Sequence, residues 1–255
     1  MKLHIILLTA LILLSKSSSF GCLTYYHPVD AGGDFHEIAE HGFVGFNKNF
    51  NFKLIASKLP GIESEFQVTQ SPFILSDYAV LLMKAGRLEE SLLLLKALNK
   101  NLPNEYQIAA NLGTAYELNG QLDSALFYIN RGVEINPNAH DGSEWVHIKV
   151  LETKLKQIKN PDYLKSNTVL SLSPIQKKDN LIRAQLEIQI RERFPFTPNP
   201  DPIMASLMVD LGDCYANNLS IEYAKAFYNI AELYFGADSS ITTPKIKEMI
   251  ALRIE

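Results

Sequence analysis

Histidine and acidic side chains gather near the N-terminus, and both are common ligands of transition metals. Three histidines and four acids lie in this segment: His27, His36, His41, Asp30, Asp34, Glu37 and Glu40. A helical zinc site needs two histidines four residues apart, so that both lie on one face. Glu40 stands at that distance from His36, and His41 follows one residue late, about 100° around a helix. We therefore interpret the segment as a solvated helix start, and we predict no metal or other cofactor.

A second candidate set consists of His140, Glu144 and His147. Glu144 and His147 share a helical face, with His140 one turn earlier, so two of them could ligate a metal. Because no further ligand is identifiable, the favoured interpretation is a helix start at which His140 forms a hydrogen bond near the end of the preceding element. Asp141 and Glu144 have the spacing of a capping box, which predicts a helix from about Asp141 to Ile158.

Recognisable nucleophile motifs are missing from the sequence. It contains no Gly-x-Ser-x-Gly, no phosphate-binding glycine loop and no dinucleotide fingerprint. The two cysteines are Cys22 and Cys214. Cys214 falls at a core-facing position of a predicted helix, where a thiol lacks the exposure that a reactive thiolate needs. These features predict that the chain is not an enzyme.

The N-terminus has the layout of a secretory signal. One lysine precedes the mostly apolar run 5–14, and small polar residues fill most of 15–21. Cys22 follows Gly21 directly, which resembles the signal of bacterial lipoproteins although Ser19 and Phe20 depart from the usual residues. The resemblance implies a signal peptide over 1–21 and lipidation of Cys22; plain secretion is the alternative.

A repeat of thirty-four residues is the strongest pattern in the chain. This interval separates Gly86 from Gly120 and Pro103 from Pro137. The same register pairs small residues with small residues, and a further copy begins near Ala205. The small residues so aligned are Ala79 with Gly113 and Gly212, and Ser91 with Ala125 and Ala224.

This pattern resembles the tetratricopeptide repeat, a helical hairpin of the same period. The most complete copy, 106–139, has Leu112-Gly113-x-x-Tyr116, then Ala125 and Pro137. The resemblance implies an all-α fold, a right-handed solenoid of stacked helical hairpins, with an irregular N-terminal tether. Small residues are expected at helix crossings, the two glycines at turns and the two prolines after the second helices. Tyr116 is expected to fill space between neighbouring hairpins.

The predicted organisation has three parts: the signal peptide, a tether over 22–71 and a repeat domain over 72–255. Within the tether, a helix over 53–58 is expected to end at Leu59-Pro60-Gly61. The repeat domain is divided into hairpins near 72–105 and 106–139, a diverged hairpin over 140–194 with an insertion at 159–178, a hairpin at 205–238 and a terminal helix at 243–254.

Tetratricopeptide domains bind peptides in a groove lined by their first helices. The matching positions here are Ser76, Val80, Met83, Lys84, Thr114, Glu117, Asp213 and Asn217. Of the family's carboxylate clamp only Asn111 fits, so the resemblance does not imply recognition of a C-terminal carboxylate. An apolar or mildly basic protein segment is the expected partner. The net charge of −4 and the absence of a basic block argue against nucleic acid.

The predicted function is therefore a lipid-anchored scaffold of the bacterial cell envelope, on the periplasmic face of the outer membrane. Two alternatives remain open. One is a metal-dependent hydrolase that uses the His-rich segment or the insertion. The other is a carbohydrate-binding repeat lipoprotein, in which Tyr25, Tyr26 and Phe43 stack on sugars.

Overall fold

Helices account for all the regular structure that the described chain contains. The computed structural model describes residues 52–251, apart from residues 219–220. No β-strand occurs among these residues, as the sequence predicts. In chain order the α-helices are α1 (Phe52–Thr69), α2 (Pro72–Lys84), α3 (Leu88–Asn101), α4 (Tyr106–Leu118), α5 (Leu122–Ile135), α6 (Glu144–Lys159), α7 (Tyr163–Ser166), α8 (Asn180–Arg193), α9 (Pro202–Asn218), α10 (Ile221–Leu233) and α11 (Ser239–Ala251).

Consecutive helices pack as hairpins, α2 with α3, α4 with α5 and α9 with α10. In the first two turns Gly86 and Gly120 have φ angles of 76° and 73°. The Gly86 N–H donates to the carbonyl of Met83, and the Arg87 N–H donates to that of Leu82. This arrangement is a Schellman motif, and a residue without Cβ adopts its left-handed conformation at little cost. The predicted role of both glycines is confirmed.

Small residues allow the two helices of a hairpin to approach closely. A Cβ atom on Gly113 would lie 2.7 Å from Cδ1 of Ile129, and one on Gly212 would lie 2.5 Å from Cε1 of Tyr228. Ile129 belongs to α5 and Tyr228 to α10, so both contacts join a first helix to its second helix. The remaining small residues of the pattern are fully buried: Ala79, Ser91, Ala125 and Ala224. The predicted positions at helix crossings are confirmed.

The second helices end before the predicted prolines. Leu102 and Asn136, which precede Pro103 and Pro137, have φ angles of −131° and −142°. A proline ring clashes with a preceding residue in the helical conformation and moves it to extended backbone. Both helix ends therefore have a local cause in the sequence.

The first helices of the two N-terminal hairpins also contact each other. The Gln107 side-chain amide donates to Oδ1 of Asp77 at 2.9 Å, and the Asn111 amide donates to Oγ of Ser76 at 2.9 Å. These hydrogen bonds join α4 to α2. Polar groups buried between helices need such partners, so the two bonds also fix the register of the pair.

Two large groups of buried apolar residues form the interior. One lies among α2 to α5 and includes Leu151 of α6; the other gathers residues of α6 and α8 to α11. The second group also contains Val169, Leu170 and Leu172. These three residues belong to the connection between α6 and α8, which includes α7 and a short 3-10 turn at Gln176–Lys178. The connection therefore contributes three side chains to the core, although most of its other residues are exposed.

The predicted helix end at Leu59-Pro60-Gly61 is wrong, because α1 continues through this sequence. Leu59 is buried together with Ile62, Leu81 and Leu82, in a small cluster between α1 and α2. Burial of such side chains stabilises a helix by about 1.5–3 kcal/mol each, which offsets the missing N–H of Pro60.

The predicted irregular segment 22–71 is thus helical over most of its last part. Its remainder, residues 22–51, lies outside the described residues. So do the predicted signal peptide over 1–21, Cys22 and the histidines and acids between His27 and His41, which the alternative of a hydrolase would use.

The predicted capping box is also wrong. α6 begins at Glu144 and not at Asp141, and Ser143 occupies the N-cap position. His140 and Asp141 adopt left-handed backbone, with φ angles of 50° and 52°. Instead of capping the helix, the Glu144 carboxylate accepts a hydrogen bond from the Tyr106 hydroxyl at 2.7 Å.

One further prediction needs correction. The terminal helix α11 begins at Ser239 and contains Pro244, because the Asp238 carboxylate accepts the Ser240 N–H at 2.8 Å and so caps an earlier start. Tyr116 stacks on Tyr128 of its own hairpin, with ring centroids 5.4 Å apart, and its place between neighbouring hairpins stays a prediction.

Candidate functional site

The side chains that the sequence predicts along an open groove are largely inside the protein. Seven of the eight are buried: Ser76, Val80, Met83, Lys84, Thr114, Glu117 and Asp213. The eighth, Asn217, is exposed. Seven of these side chains are therefore mostly shielded from solvent, although Thr114 and Glu117 border the cleft described below. Polar contacts from later parts of the chain cover several of them.

Glu117 lies at the centre of the first polar group. Arg193 Nη1 and Lys154 Nζ donate to its Oε1 atom at 2.8 and 2.7 Å, and His147 Nε2 lies 2.7 Å from Oε2. Burial opposes ionisation of this carboxyl, but Arg193, His147 and Lys154 together hold the pKa of Glu117 well below its ordinary value. The ionised Glu117 side chain thereby joins α4 to α6 and α8.

Glu144 continues this network on the other side of His147. His140 Nδ1 lies 2.9 Å from Glu144 Oε1, and His147 Nδ1 lies 3.6 Å from Oε2. Although burial disfavours the charge, the two histidines keep the pKa of the Glu144 carboxyl well below its usual range. The His140 ring also meets the edge of the Tyr106 ring, which belongs to the preceding hairpin. The predicted hydrogen bond of His140 near the end of the preceding element is replaced by the contact with Glu144 of the following helix, and His140 meets the preceding hairpin only through the Tyr106 ring.

Asp213 is the centre of a second polar group at the other end of the chain. Lys177 Nζ donates to Asp213 Oδ2 at 2.6 Å, Lys245 Nζ donates to Oδ1 at 2.7 Å, and the Tyr228 hydroxyl donates to Oδ1 at 2.6 Å. Burial raises the pKa of the Asp213 carboxyl. The three donors lower it by more, so that the pKa lies below its ordinary value. Asp213 therefore joins α9 to the 3-10 turn, to α10 and to α11.

Asp210 lies one turn before Asp213 and has a different environment. Its Oδ2 atom is buried without a hydrogen-bond partner. Burial, and then the nearby charge of Asp213, raise the pKa of Asp210 to about 7. The same acids contribute to the environment of Cys214: burial, Asp210 and Asp213 raise its pKa to about 12. The buried Cys214 thiol is therefore a weak nucleophile, which agrees with its predicted place in the core.

A cleft opens beside Glu117, between α4, α6, α8 and the start of α9. About 70 Å³ of it is open to the centres of water molecules, which corresponds to roughly five waters. Its walls are mixed: Leu118, Phe196, Ile203 and Met204 are apolar, and Lys154, Glu192 and Arg193 are charged. Of the predicted groove residues, Thr114 and Glu117 border it. This cleft is the accessible remnant of the predicted groove.

The cations that neutralise Glu117 and Asp213 were not among the predicted site residues. Arg193 lies 76 residues from Glu117 along the chain, and Lys245 comes from the terminal helix. A glutamate at an inward position of a first helix signals that a cation is required nearby. The spacing of the repeat does not indicate which residue provides this positive charge.

Metal chemistry has no candidate cluster in this part of the protein. Among residues 52–251, without 219–220, no three His, Cys, Asp or Glu side chains are arranged to hold a metal ion. His140, Glu144 and His147 do come together, but they form hydrogen bonds and ion pairs with one another and with Glu117. Over the same residues, no helix is both long enough and apolar enough to cross a bilayer.

In comparisons with known proteins, no family model, no curated protein and no solved structure matches this chain. The functional argument therefore depends on the residues and their geometry.

Proposed function

We propose that this chain is an exported, lipid-anchored scaffold of the tetratricopeptide-repeat type, which binds a protein or peptide partner in the bacterial cell envelope. The observation that carries the proposal is the recurrence of small residues where two helices cross. Gly113 and Gly212 stand at equivalent places in α4/α5 and α9/α10. Stacked hairpins of this family form a right-handed solenoid, and their usual role is binding.

The buried ion pairs support the proposed binding role, because they hold the helices in a fixed arrangement. Glu117 and Asp213 each receive two cations and a further polar group. Ion pairs that are mutually satisfied in the interior hold helices in a fixed arrangement. A rigid arrangement favours binding, because less conformational entropy is lost when a partner is ordered against it.

The partner segment is proposed to bind over the cleft beside Glu117. The open volume of about 70 Å³ suits a single inserted side chain and not the width of a peptide. The apolar wall of Phe196, Ile203 and Met204 favours an aliphatic or aromatic side chain. The rest of the segment lies along the rim, where Lys154 is about one-third exposed.

The anchor is proposed to be a lipid on Cys22, on the periplasmic face of the outer membrane. The support is the sequence alone: an apolar run too short to span a bilayer, small polar residues, and a cysteine directly after Gly21. Anchoring of this kind restricts the scaffold to the membrane surface, where its partner is encountered at high effective concentration.

Affinity capture from detergent-solubilised envelope tests the scaffold proposal. The full chain is purified from the cells that make it, and its companion proteins are identified. Thr197 borders the cleft, and Thr197→Trp fills the open volume. We expect the companion protein to be lost from this variant while its far-UV circular dichroism stays unchanged.

Phe127→Ser is the matched control, because Phe127 is 64% exposed on the second helix α5 and does not border the cleft. This variant should retain the companion protein. If Phe127→Ser loses the companion and Thr197→Trp retains it, the cleft is not the binding surface. If no companion is reproducibly recovered with the wild-type chain, the scaffold proposal is wrong.

Metabolic labelling with radioactive palmitate tests the anchor separately. We expect label in the wild-type chain and none in Cys22→Ala, and we expect the variant to leave the membrane fraction. An unlabelled wild-type chain in the soluble fraction would indicate plain secretion instead.

A further inference from the structure

Residues 167–178, here called the strap, cross α9 from the end of α7 through the 3-10 turn. The Val169 N–H donates to Oγ of Ser206 at 3.0 Å. The main chain at Leu170 lies close enough to the Asp210 carboxyl to lower its pKa, against the larger effect of burial. Both side chains belong to α9. The strap thus contacts α9 through its own main-chain groups, as a bound peptide contacts a receptor.

Three apolar side chains of the strap are buried, and their neighbours on either side are exposed. Val169, Leu170 and Leu172 are buried, with 5–8% of their surface exposed. Ser171 between them is exposed, and Ile175 is 83% exposed. The apolar contacts of the strap are therefore confined to one short stretch.

A charge contact completes the attachment. Lys177 Nζ donates to Asp213 at 2.6 Å, and Asp210 lies one turn away on the same helix. Two acids on α9 thus face the strap, and they favour a cation at this place. The sequence of attachment points is two apolar residues, a small residue, a third apolar residue and, after a turn, a lysine.

The strap takes the place of a neighbouring helix. In the repeat register, Ser206 and Asp210 of α9 correspond to Gln107 and Asn111 of α4. Those two residues donate hydrogen bonds to α2, the first helix of the hairpin before. Against α9 the same positions contact the strap, which is irregular chain over residues 167–173, with bends at residues 169 and 170 and no helix.

The fit of the strap is imperfect in two respects. Ser171 has a left-handed φ of 52°, which costs a residue with a Cβ of order 1 kcal/mol. Asp210 also keeps one buried carboxylate oxygen, Oδ2, without a hydrogen-bond partner. A segment that avoids the left-handed residue and supplies one more donor would bind the same surface more favourably.

We infer that the face of α9 formed by Ser206, Asp210 and Asp213 is a peptide-binding surface, and that the strap is a built-in competitor for it. The partner is a protein segment with two consecutive apolar residues, a small residue, a third apolar residue and a following lysine or arginine. This inference specifies the partner of the proposed scaffold and places a second contact outside the cleft.

A synthetic peptide with the sequence of residues 167–178 is the probe, and fluorescence anisotropy of the labelled peptide is the readout. The strap is loosened in the full chain by Leu172→Ser, and more mildly by Lys177→Ala. Ile175→Ser is the matched control in the same segment, because the Ile175 side chain is exposed.

We expect Leu172→Ser and Lys177→Ala to bind the peptide about tenfold or more tightly than the wild-type chain and the Ile175→Ser control, since less of the surface is occupied. A peptide with glutamate in place of the lysine should bind these variants about tenfold more weakly, because Asp210 and Asp213 repel it. Equal affinity of the wild-type chain and folded loosened variants overturns the inference, and so does indifference to the lysine.

Hydrogen exchange of the unaltered protein decides the matter if the variants fail to fold. The amides of Val169 and Leu170 should exchange about a hundredfold faster than the central amides of α9, because the strap leaves while α9 stays folded. Equal protection of strap and α9 overturns the inference. A concentration-dependent dimer that the Leu172→Ser variant loses would assign the surface to a second copy of the chain and also overturn it.

The peptide assay is independent of the capture experiment. It requires no natural partner, so a failed capture with positive peptide binding would contradict the cellular scaffold proposal alone. Failed peptide binding with a positive capture would contradict only the role of the strap.

Discussion

At Gly212, a single hydrogen atom occupies the space where any other residue would place a carbon atom against the ring of Tyr228. This ring is 1% exposed, and its hydroxyl donates to Asp213. The ring is therefore enclosed by its neighbours and cannot easily move away from an added Cβ atom. We expect Gly212→Ala to lower the free energy of unfolding by about 1–3 kcal/mol, as overpacked cores do. Chemical denaturation measures the change.

Gly61 provides the control for this substitution. It lies inside α1, and a Cβ atom there would meet nothing within 4 Å. Gly61→Ala should raise the free energy of unfolding by roughly 0.5–1 kcal/mol, because alanine loses less backbone entropy in a helix. If both variants change stability in the same direction, close packing at Gly212 is not the cause.

Because the pKa of Asp210 is raised, we expect its contribution to the stability of the fold to change with pH in the direction opposite to that of most acidic residues. Its pKa is raised from 3.8 to about 7. Between these pH values the folded chain retains a proton that the unfolded chain has released, so stability falls as the pH rises. Asp210→Asn removes this titration.

We expect Asp210→Asn to be more stable than the wild type at pH 8 by about 1–3 kcal/mol, and to differ little near pH 4. Thermal denaturation at the two pH values measures the difference. If the variant is more stable than the wild type by the same amount at both pH values, the carboxyl of Asp210 does not titrate in this range.

Single residues differ in how far the sequence predicts them. Gly113 and Ala125 are predictable, because their small size recurs at one interval and has one geometric meaning. The partners of Glu117 are not, because Lys154 and Arg193 lie outside the repeat in which Glu117 stands. A charge contact depends on which helices meet, and spacing within one repeat contains no such information.

At the scale of helices, the turns after α2 and α4 depend on a left-handed residue. Gly120 is exposed, has a φ of 73°, and has open space around its Cα. Gly120→Ala should therefore reduce stability by about 1 kcal/mol through backbone strain alone. Gly120→Asn should cost less, because asparagine tolerates this conformation better. Equal losses, measured by thermal denaturation, would contradict a conformational cause.

Helix ends were predictable where one residue type determines the backbone, as at Gly86 and before Pro103. Helix ends were not predictable where tertiary contacts or an alternative capping residue determine them. α1 continues through Pro60 because Leu59 and Ile62 are buried on α2. α11 begins early because Asp238 caps it, although Pro244 suggested a later start.

At the scale of the molecule, Glu117 connects three helices that are distant in sequence. Glu117→Gln keeps the shape of the side chain but leaves Arg193, His147 and Lys154 without their shared anion. We expect a loss of about 3–5 kcal/mol in the free energy of unfolding at pH 7, as when one member of a buried ion pair is removed. Glu90→Gln is the control, because the Arg87–Glu90 pair is exposed and should contribute little.

The same variant predicts an acid dependence. The pKa of Glu117 in the folded chain lies well below 4.5, whereas that of the unfolded chain is about 4.3. The stabilisation by Glu117 is therefore complete above this pH and declines as the pH falls below it. The difference in stability between wild type and Glu117→Gln should shrink below about pH 4.3. A difference that stays constant down to pH 3 would contradict ionisation of Glu117 as its source.

The all-helical hairpin architecture was predictable, because a period of thirty-four residues with small residues at fixed places has few other physical explanations. The loss of the open groove was not. It results from residues 167–178, from α8 and from α11, which contribute Lys177, Arg193 and Lys245 to the interior. Residues 167–178 and α11 lie outside the aligned copies of the repeat, and α8 belongs to the diverged hairpin, where the repeat register does not place Arg193.

Helices outside the repeat cover both terminal hairpins. α1 covers α2 with Leu59 and Ile62, and α11 packs on α10 with the buried Met249. Identical hairpins can stack head to tail without limit, since the uncovered face of a terminal hairpin can pack against a further hairpin. With α1 and α11 in place, the described residues leave neither terminal hairpin with an uncovered face to which a second molecule could add in this way.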